Sequence, residues 1–156
     1  MQIDLVAVGR RMPDWVETAV NEYRKRLPKT IQFRLVEITP ATRSKNNNAD
    51  NFKQQEQKRI DAALSANTRL IVLDEKGKSV SSQSLATQLQ SWIDEQQHIS
   101  IVIGGADGLS DEIKNRADQM WSLSAMTLPH GLVRVMMLEQ LYRAWTITQN
   151  HPYHRE

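Results

Sequence analysis

The chain has 156 residues, with 20 basic and 18 acidic side chains, a net charge of +2 and no cysteine. The length fits a single domain, residues 1–156, large enough to bury a real core. The composition excludes disulfides, thiolate metal sites and cysteine nucleophiles, no apolar run approaches the ~18 residues of a membrane span, and the small net charge argues against tight binding to naked RNA.

The start, Met1-Gln2-Ile3-Asp4, has neither a basic segment nor a long apolar one, so no secretory signal is expected and the cytoplasm is the default. Ile3 to Val8 is a compact apolar run ended by Gly9, which predicts a buried strand. Pro13 suits a first helical turn. Trp15, Ala19, Tyr23 and Leu27 then recur at helical spacing until Pro28 stops the helix. Arg24, Lys25 and Arg26 sit near its end, where cations favour the helix dipole and could also meet RNA. Ile31, Phe33 and Leu35 alternate, predicting a second strand from Ile31 to Ile38.

Pro40 to Asp50 is a polar loop carrying Arg43 and Lys45, a candidate RNA-contacting lid or simply a solvated segment. Phe52 to Ala66 reads as a surface helix with Ile60, Ala63 and Leu64 inward. Arg69 to Leu73 is the next strand, and Asp74 to Lys78 reads as the turn after it. From Ser82 a helix presents Leu85, Leu89, Trp92 and Ile93 on one face. His98 precedes the strand Ile99 to Ile103 and receives no role.

The last third differs from ordinary core or loop. Gly104-Gly105 follows the strand at once, so backbone must come close to something there. At the carboxyl end of a parallel strand that something is usually a ligand. Ser110 can cap a helix from Asp111 to about Gln119, with Asp111 and Glu112 in its first turn. Trp121 to Leu128 is strand-like, too apolar for a surface loop and too irregular for a clean strand. It can offer backbone amides and carbonyls to a flat heterocycle, or be a short buried strand plus a turn. Leu132 to Thr148 is helical and apolar on nearly every side, which predicts packing against a second copy of the chain. Strand and helix alternate throughout, predicting an α/β fold: a parallel sheet with helices on both faces.

Three stretches carry a resemblance: Ile101-Val102-Ile103-Gly104-Gly105-Ala106-Asp107-Gly108-Leu109, Trp121-Ser122-Leu123-Ser124-Ala125-Met126-Thr127-Leu128-Pro129-His130, and Glu139-Gln140-Leu141-Tyr142-Arg143-Ala144-Trp145 with the tail Asn150-His151-Pro152-Tyr153-His154-Arg155. Together with Leu5 to Gly9 and Met12-Pro13-Asp14-Trp15, they resemble the large-subunit (23S) rRNA pseudouridine N3-methyltransferase family, in the trefoil-knotted SPOUT class. The resemblance spans the whole chain. It implies a C-terminal trefoil knot, which no sequence pattern would suggest, since unknotted connections are the rule. It also implies a homodimer, S-adenosyl-L-methionine as cofactor, and 23S rRNA within the assembled ribosome as partner.

Carried over residue by residue, the family's cofactor site falls on Leu73, Gly104 and the run Leu123, Ser124, Ala125, Met126, Thr127 and Leu128. This agrees with a glycine at a strand end beside an apolar loop offering main-chain partners. The methyl acceptor would be an imide nitrogen, a poor nucleophile until deprotonated, and nearby cations would lower its pKa. His130, His154 and Arg155 are the catalytic candidates: a histidine to assist proton removal, and Arg155 with Arg143 to hold the uracil or its phosphate. Tyr153 could stack on the base. Glu139 stands four residues before Arg143, a spacing for an intrahelical pair or for positioning Arg155 or the cofactor's amino group. On the latter view Glu139→Gln weakens cofactor binding. No metal-ligand spacing such as HExxH is present, so no metal is expected.

Two other readings remain at this level. A Rossmann-type small-molecule methyltransferase wants G-x-G-x-x-G after an early strand, and Gly104 to Gly108 does not match, Ile103 standing at the first glycine. A non-catalytic ribosome-associated RNA-binding module would suit the modest charge but would need neither the cofactor loop nor the His-Arg tail.

Overall fold

The structure is a computed structural model and describes residues 1–154. Its elements are β1 (Gln2–Val8), α1 (Asp14–Arg26), β2 (Gln32–Ile38), α2 (Ala49–Ala63), β3 (Arg69–Ser79), α3 (Ser82–Asp94), β4 (His98–Ile103), α4 (Asp111–Arg116), β5 (Gln119–Ser122) and α5 (His130–Thr148). The five strands form one sheet in the order β2-β1-β4-β3-β5, and every pairing is parallel.

Helices cover both faces, and the strands are apolar on both sides because each side has a core to fill. On one face Ile3, Leu5, Ala7, Ile71, Ile99 and Ile101 pack under α1, α3 and α5. On the other, Val6, Val8, Leu70, Val72 and Val102 meet Ile60 of α2 and Ile113 of α4. Helix α5 lies between α1 and α3, which explains much of its apolar surface. Met137, Leu138, Leu141 and Ala144 are buried there, while Leu132, Val133, Val135 and Met136 stay half-buried in the single chain.

Several local expectations are corrected. Val16 and Val20, not Trp15, form the inner face of α1, and Trp15 is 56% exposed. The segment Asp74 to Lys78 is not a turn but the continuation of β3, which bulges between Leu73 and Lys78 and pairs again with β5. Gly77 permits this, since a Cβ there would stand 2.5 Å from the Trp121 backbone. Strand β5 ends at Ser122, so 123–129 is a loop leading into α5. Helix α4 stops at Arg116, capped as expected by Ser110, whose hydroxyl accepts from the Ile113 amide at 3.4 Å. Asn48 caps α2 in the same way, accepting from Asn51 N at 3.0 Å.

At the amino ends of the strands, fully buried Asp4 joins Arg34 by two 2.7 Å hydrogen bonds and His98 at 2.8 Å. Burial works to raise the Asp4 carboxyl, but Arg34, Gln2 and His98 outweigh it and hold its pKa at about 2. His98 therefore belongs to a structural ion cluster at the end of the sheet away from the glycine turns.

Candidate active site

Strands β1 and β4 are neighbours, yet the helices that leave them go to opposite faces: α1 to one, α4 to the other. Their carboxyl ends thus open a crevice, the place where α/β sheets bind ligands. Val8-Gly9 ends β1 and Ile103-Gly104 ends β4, while Leu73-Asp74 of β3 completes the floor. Around them lies a cavity of about 870 Å³, large enough for a nucleoside-sized ligand. A shallower hollow of about 540 Å³ lies on the surface between α3 and the end of α5, away from the strand ends.

The glycine turn is close-packed. A Cβ on Gly104 would stand 2.8 Å from Leu109 Cγ and 2.9 Å from the Gly108 carbonyl carbon. The Gly108 amide donates to Gly105 O at 3.0 Å and closes the turn. Facing it, the loop after β5 is folded on its own hydroxyls. Ser122 Oγ donates to Ser124 O at 2.9 Å, and Ser124 Oγ accepts from Met126 N at 2.9 Å. Leu73, Gly104, Leu123, Ser124, Met126, Thr127 and Leu128 all line the cavity. Ala125 is exposed and does not line it, and the Met126 side chain is 76% exposed at its edge.

His130, the first residue of α5, also lines the cavity. Burial, and then the Arg134 guanidinium one turn on, push its pKa from 6.5 down to about 4, partly offset by the backbone at Gly104 and Ile103. The imidazole is neutral at neutral pH, and its Nε2 is buried without a partner among the described residues. Asp74 lies at the other side. Burial tends to raise its carboxyl, but the Lys114 ammonium at 2.8 Å and the Lys76 amide outweigh that and hold it below its usual value.

The tail candidates form a separate group. Glu139 Oε1 accepts from Arg143 Nε at 3.0 Å and Nη2 at 2.6 Å, and from the Tyr153 hydroxyl at 3.0 Å. The Arg143 guanidinium lies 5.2 Å from the Tyr153 ring centroid, and Tyr153 meets Tyr142 edge-on at 4.7 Å. Burial, then Tyr23 and Glu139, hold the Tyr153 phenol well above its ordinary value, so it stays a donor. His154 Nδ1 is buried without a partner among the described residues. Arg155 lies outside the described residues. At 1.5 Å per residue Glu139 stands about 14 Å and Arg143 about 20 Å along α5 from His130. Tyr153, His154, Arg143 and Glu139 do not line the cavity of their own chain. The expected effect of Glu139 on the cofactor site therefore has no support from contact within one subunit.

Sequence reasoning missed two buried charges. Arg134 is 1% exposed, donating to Glu37 Oε2 at 2.9 Å and Gly9 O at 2.9 Å. Its signal was a lone cation in an apolar run, four residues after His130. Glu56 is buried beneath Gly105, with Oε2 accepting from Ala41 N at 2.9 Å and Oε1 unpartnered among the described residues. Its signal was the spacing Phe52, Glu56, Ile60, which puts it on the inner stripe of α2. Among the described residues no group of three or more His, Asp or Glu side chains converges as a metal site, and no helix is long and apolar enough to cross a membrane.

A parallel α/β sheet with a cavity at the carboxyl ends of its strands, over a glycine turn, has the ligand-binding layout of its fold class. The family model described as "Predicted SPOUT methyltransferase" matches residues 1–154, and the chain belongs to that family of methyltransferases. It is 51% identical to the ribosomal RNA large subunit methyltransferase H of Cupriavidus pinatubonensis, covering 99% of each chain. It is 50% identical to the protein of the same name from Cupriavidus metallidurans and 47% to that from Paraburkholderia phymatum, each over 99% of both chains. In fold it matches a probable methylase family protein from Haemophilus influenzae with a TM-score of 0.63 at 12% identity, covering 99% of this chain and 70% of the other. The Rossmann-type and non-catalytic readings both give way to this membership.

Proposed function

We propose that the protein transfers the methyl group of S-adenosyl-L-methionine to N3 of a pseudouridine in large-subunit 23S rRNA, acting on assembled ribosomes in the cytoplasm. One observation carries the reading: Leu73, Gly104 and the loop 123–128 meet around one cavity at the carboxyl ends of the strands. The names of relatives about half identical along the whole chain support the RNA substrate.

The residues present fit the cofactor. The cavity has the volume for a nucleoside, its walls at Leu73, Leu123 and Leu128 are apolar, and His130 Nε2 is a buried ring nitrogen without a partner among the described residues. When bound, S-adenosyl-L-methionine supplies an electrophilic sulfonium methyl, so the protein needs only to hold, align and manage one proton. Leu73, Gly104, Leu123, Ser124, Met126, Thr127 and Leu128 would hold the nucleoside, while Ala125 shapes the loop without lining the cavity. Neutral His130, with its pKa at about 4, is a weak base. It suits a hydrogen bond to the ligand better than taking the N3 proton. That leaves proton removal to the tail, where His154 is the base and Arg143 and Arg155 stabilise the developing imide anion.

The tail stands apart from the cavity of its own chain, so the reading includes a homodimer in which one subunit's tail serves its partner's cavity. The half-buried apolar residues Leu132, Val133, Val135 and Met136 of α5 offer a face for that contact. Residues 1–156 make one domain in this reading, with the C-terminal trefoil knot that the family resemblance implies.

The test is transfer of labelled methyl to ribosomes lacking the modification, to separated subunits and to naked RNA. Label in assembled ribosomes, mapping to N3 of one pseudouridine, is the expected result. Label in naked RNA alone would keep the chemistry and overturn recognition of the assembled particle.

A further inference from the structure

Segment 39–48, between β2 and α2, has no regular structure, yet it is fastened at the cavity. Arg59 Nη1 donates to the carbonyls of Thr39 and Pro40 at 2.7 Å each, and Glu56 holds the Ala41 amide. Arg10, from the turn after β1, donates to Thr39 Oγ1 at 3.2 Å. The far link is Arg43, whose Nη2 lies 2.5 Å from Asp107 Oδ2 in the glycine turn that lines the cavity. Arg43 rests over the Phe52 ring at 5.2 Å, yet its side chain is 58% exposed, with Lys45 exposed two residues on. Lys53, at the start of α2, lines the cavity itself. Lys76 and Lys114 also line the cavity, from β3 and α4, and Arg43 reaches its lining through Asp107.

We infer that this strap is the phosphate-binding rim of the site, and that Asp107 stands in for an RNA phosphate which Arg43 takes up when substrate arrives. The inference rests on the RNA-methyltransferase reading above and adds the residues that grip the backbone. A guanidinium held over an aromatic ring and already engaging one anionic oxygen is preorganised for phosphate. The exchange costs little, because an exposed ion pair is weak. A phosphodiester offers a comparable anionic oxygen, and Lys45 on the same strap and Lys53 on the cavity wall are further cations for the RNA backbone.

The experiment compares wild-type protein with Arg43→Gln and Asp107→Asn, at saturating S-adenosyl-L-methionine, on ribosomes lacking the modification. It reads KM across a salt series, and cofactor affinity by calorimetry. Arg43→Gln is expected to raise KM roughly five- to tenfold and to reduce the log–log salt slope by about one, the loss of one phosphate contact. Its cofactor affinity should stay within about twofold of wild type. Asp107→Asn is expected to move KM the other way, because Arg43 is no longer occupied. Wild-type KM and slope in Arg43→Gln would overturn the inference while leaving the methyltransferase reading intact. So would weaker ribosome binding in Asp107→Asn, or a cofactor defect in Arg43→Gln, which would make the pair a prop of the turn. If wild-type protein neither binds nor methylates ribosomes, the underlying reading falls first and takes the rim with it.

Discussion

Arg134 Nη2 donates to the carbonyl of Gly9 at 2.9 Å, tying the start of α5 to the end of β1 beside the cavity. The same guanidinium holds Glu37 of β2 at 2.9 Å, so one side chain spans a helix and the ends of two strands. A buried cation keeps its place only when its hydrogen bonds are met, and removing it strands the groups it served. Arg134→Met should therefore cost about 3 kcal/mol in urea unfolding, since Glu37 and Gly9 O lose their partner. Arg134→Lys should fall between, because an ammonium cannot reproduce the fork. NMR titration of His130 in Arg134→Met should show its pKa rising, as the neighbouring positive charge that lowers it is gone.

His130 makes stability depend on pH in a defined window. The unfolded imidazole takes a proton below 6.5, the folded one only below about 4. Between these values the unfolded chain binds more protons, so the contribution is complete above 6.5 and is lost as pH falls towards 4. The ring is half-buried and solvent screens part of the effect, so the expected loss is on the order of 1–2 kcal/mol. Urea unfolding of wild type and His130→Gln from about pH 7 to about pH 4 should show the gap between them shrinking. A constant gap would mean that His130 stays as basic in the fold as outside it.

Two glycine substitutions separate the pocket from the sheet. Gly104→Ala forces a Cβ to 2.8 Å from Leu109 Cγ, so the turn must open. Cofactor affinity should fall at least about tenfold, with a stability loss of about 2 kcal/mol. Gly77→Ala meets the Trp121 backbone at 2.5 Å and cannot be relieved by a rotamer change. It should cost about 3 kcal/mol by parting β3 from β5. It should also weaken the cofactor, because the loop 123–128 hangs from β5. Calorimetry and unfolding on both variants check the pair.

The tail should be separable from cofactor binding. Glu139→Gln removes the negative charge that Arg143 and Tyr153 share at Oε1, leaving them a neutral amide oxygen. It should cut methyl transfer at least tenfold while cofactor affinity stays within about twofold, since the cluster does not line the cavity. Tyr153→Phe removes one hydrogen bond and should cost about 1 kcal/mol of tail docking, read as faster proteolysis of the C-terminus. A cofactor defect in Glu139→Gln would bring Glu139 into the cofactor site across a dimer contact.

Much of this arrangement could be read from residue patterns. The runs Ile3 to Val8, Arg69 to Leu73 and Ile99 to Ile103 are apolar but for Asp4, Arg69 and Ser100, because both faces of the sheet are covered. Gly104 was legible because a glycine at the end of such a run has few structural excuses, and the Ser110 cap because its chemistry is local. The strand order was not legible, since it is set by long-range pairing. Asp74 to Lys78 looks like a turn by composition, and only the approach of β5 to Gly77 makes it a strand. Trp15 was misplaced because Val16 and Val20 offer the same spacing one residue on. Arg134 and Glu56 were hidden because charges at inward positions contradict the pattern that finds the core. The separation of the tail from its own cavity follows from the length of α5 and has no signature in any single motif.

The sheet order also bears on how the protein comes off the ribosome that makes it. Strand β1 is synthesised first but sits between β2 and β4, and β4 begins only at His98. Until that residue has emerged, β1 carries an unpaired edge and an uncovered apolar face. The layer that closes it is finished last, by α5 sliding between α1 and α3. Folding is therefore dominated by distant pairings and should be slow for the chain's size. Before its final helix is free the nascent chain leaves one apolar face of the sheet uncovered and lacks the His130 wall of its cavity.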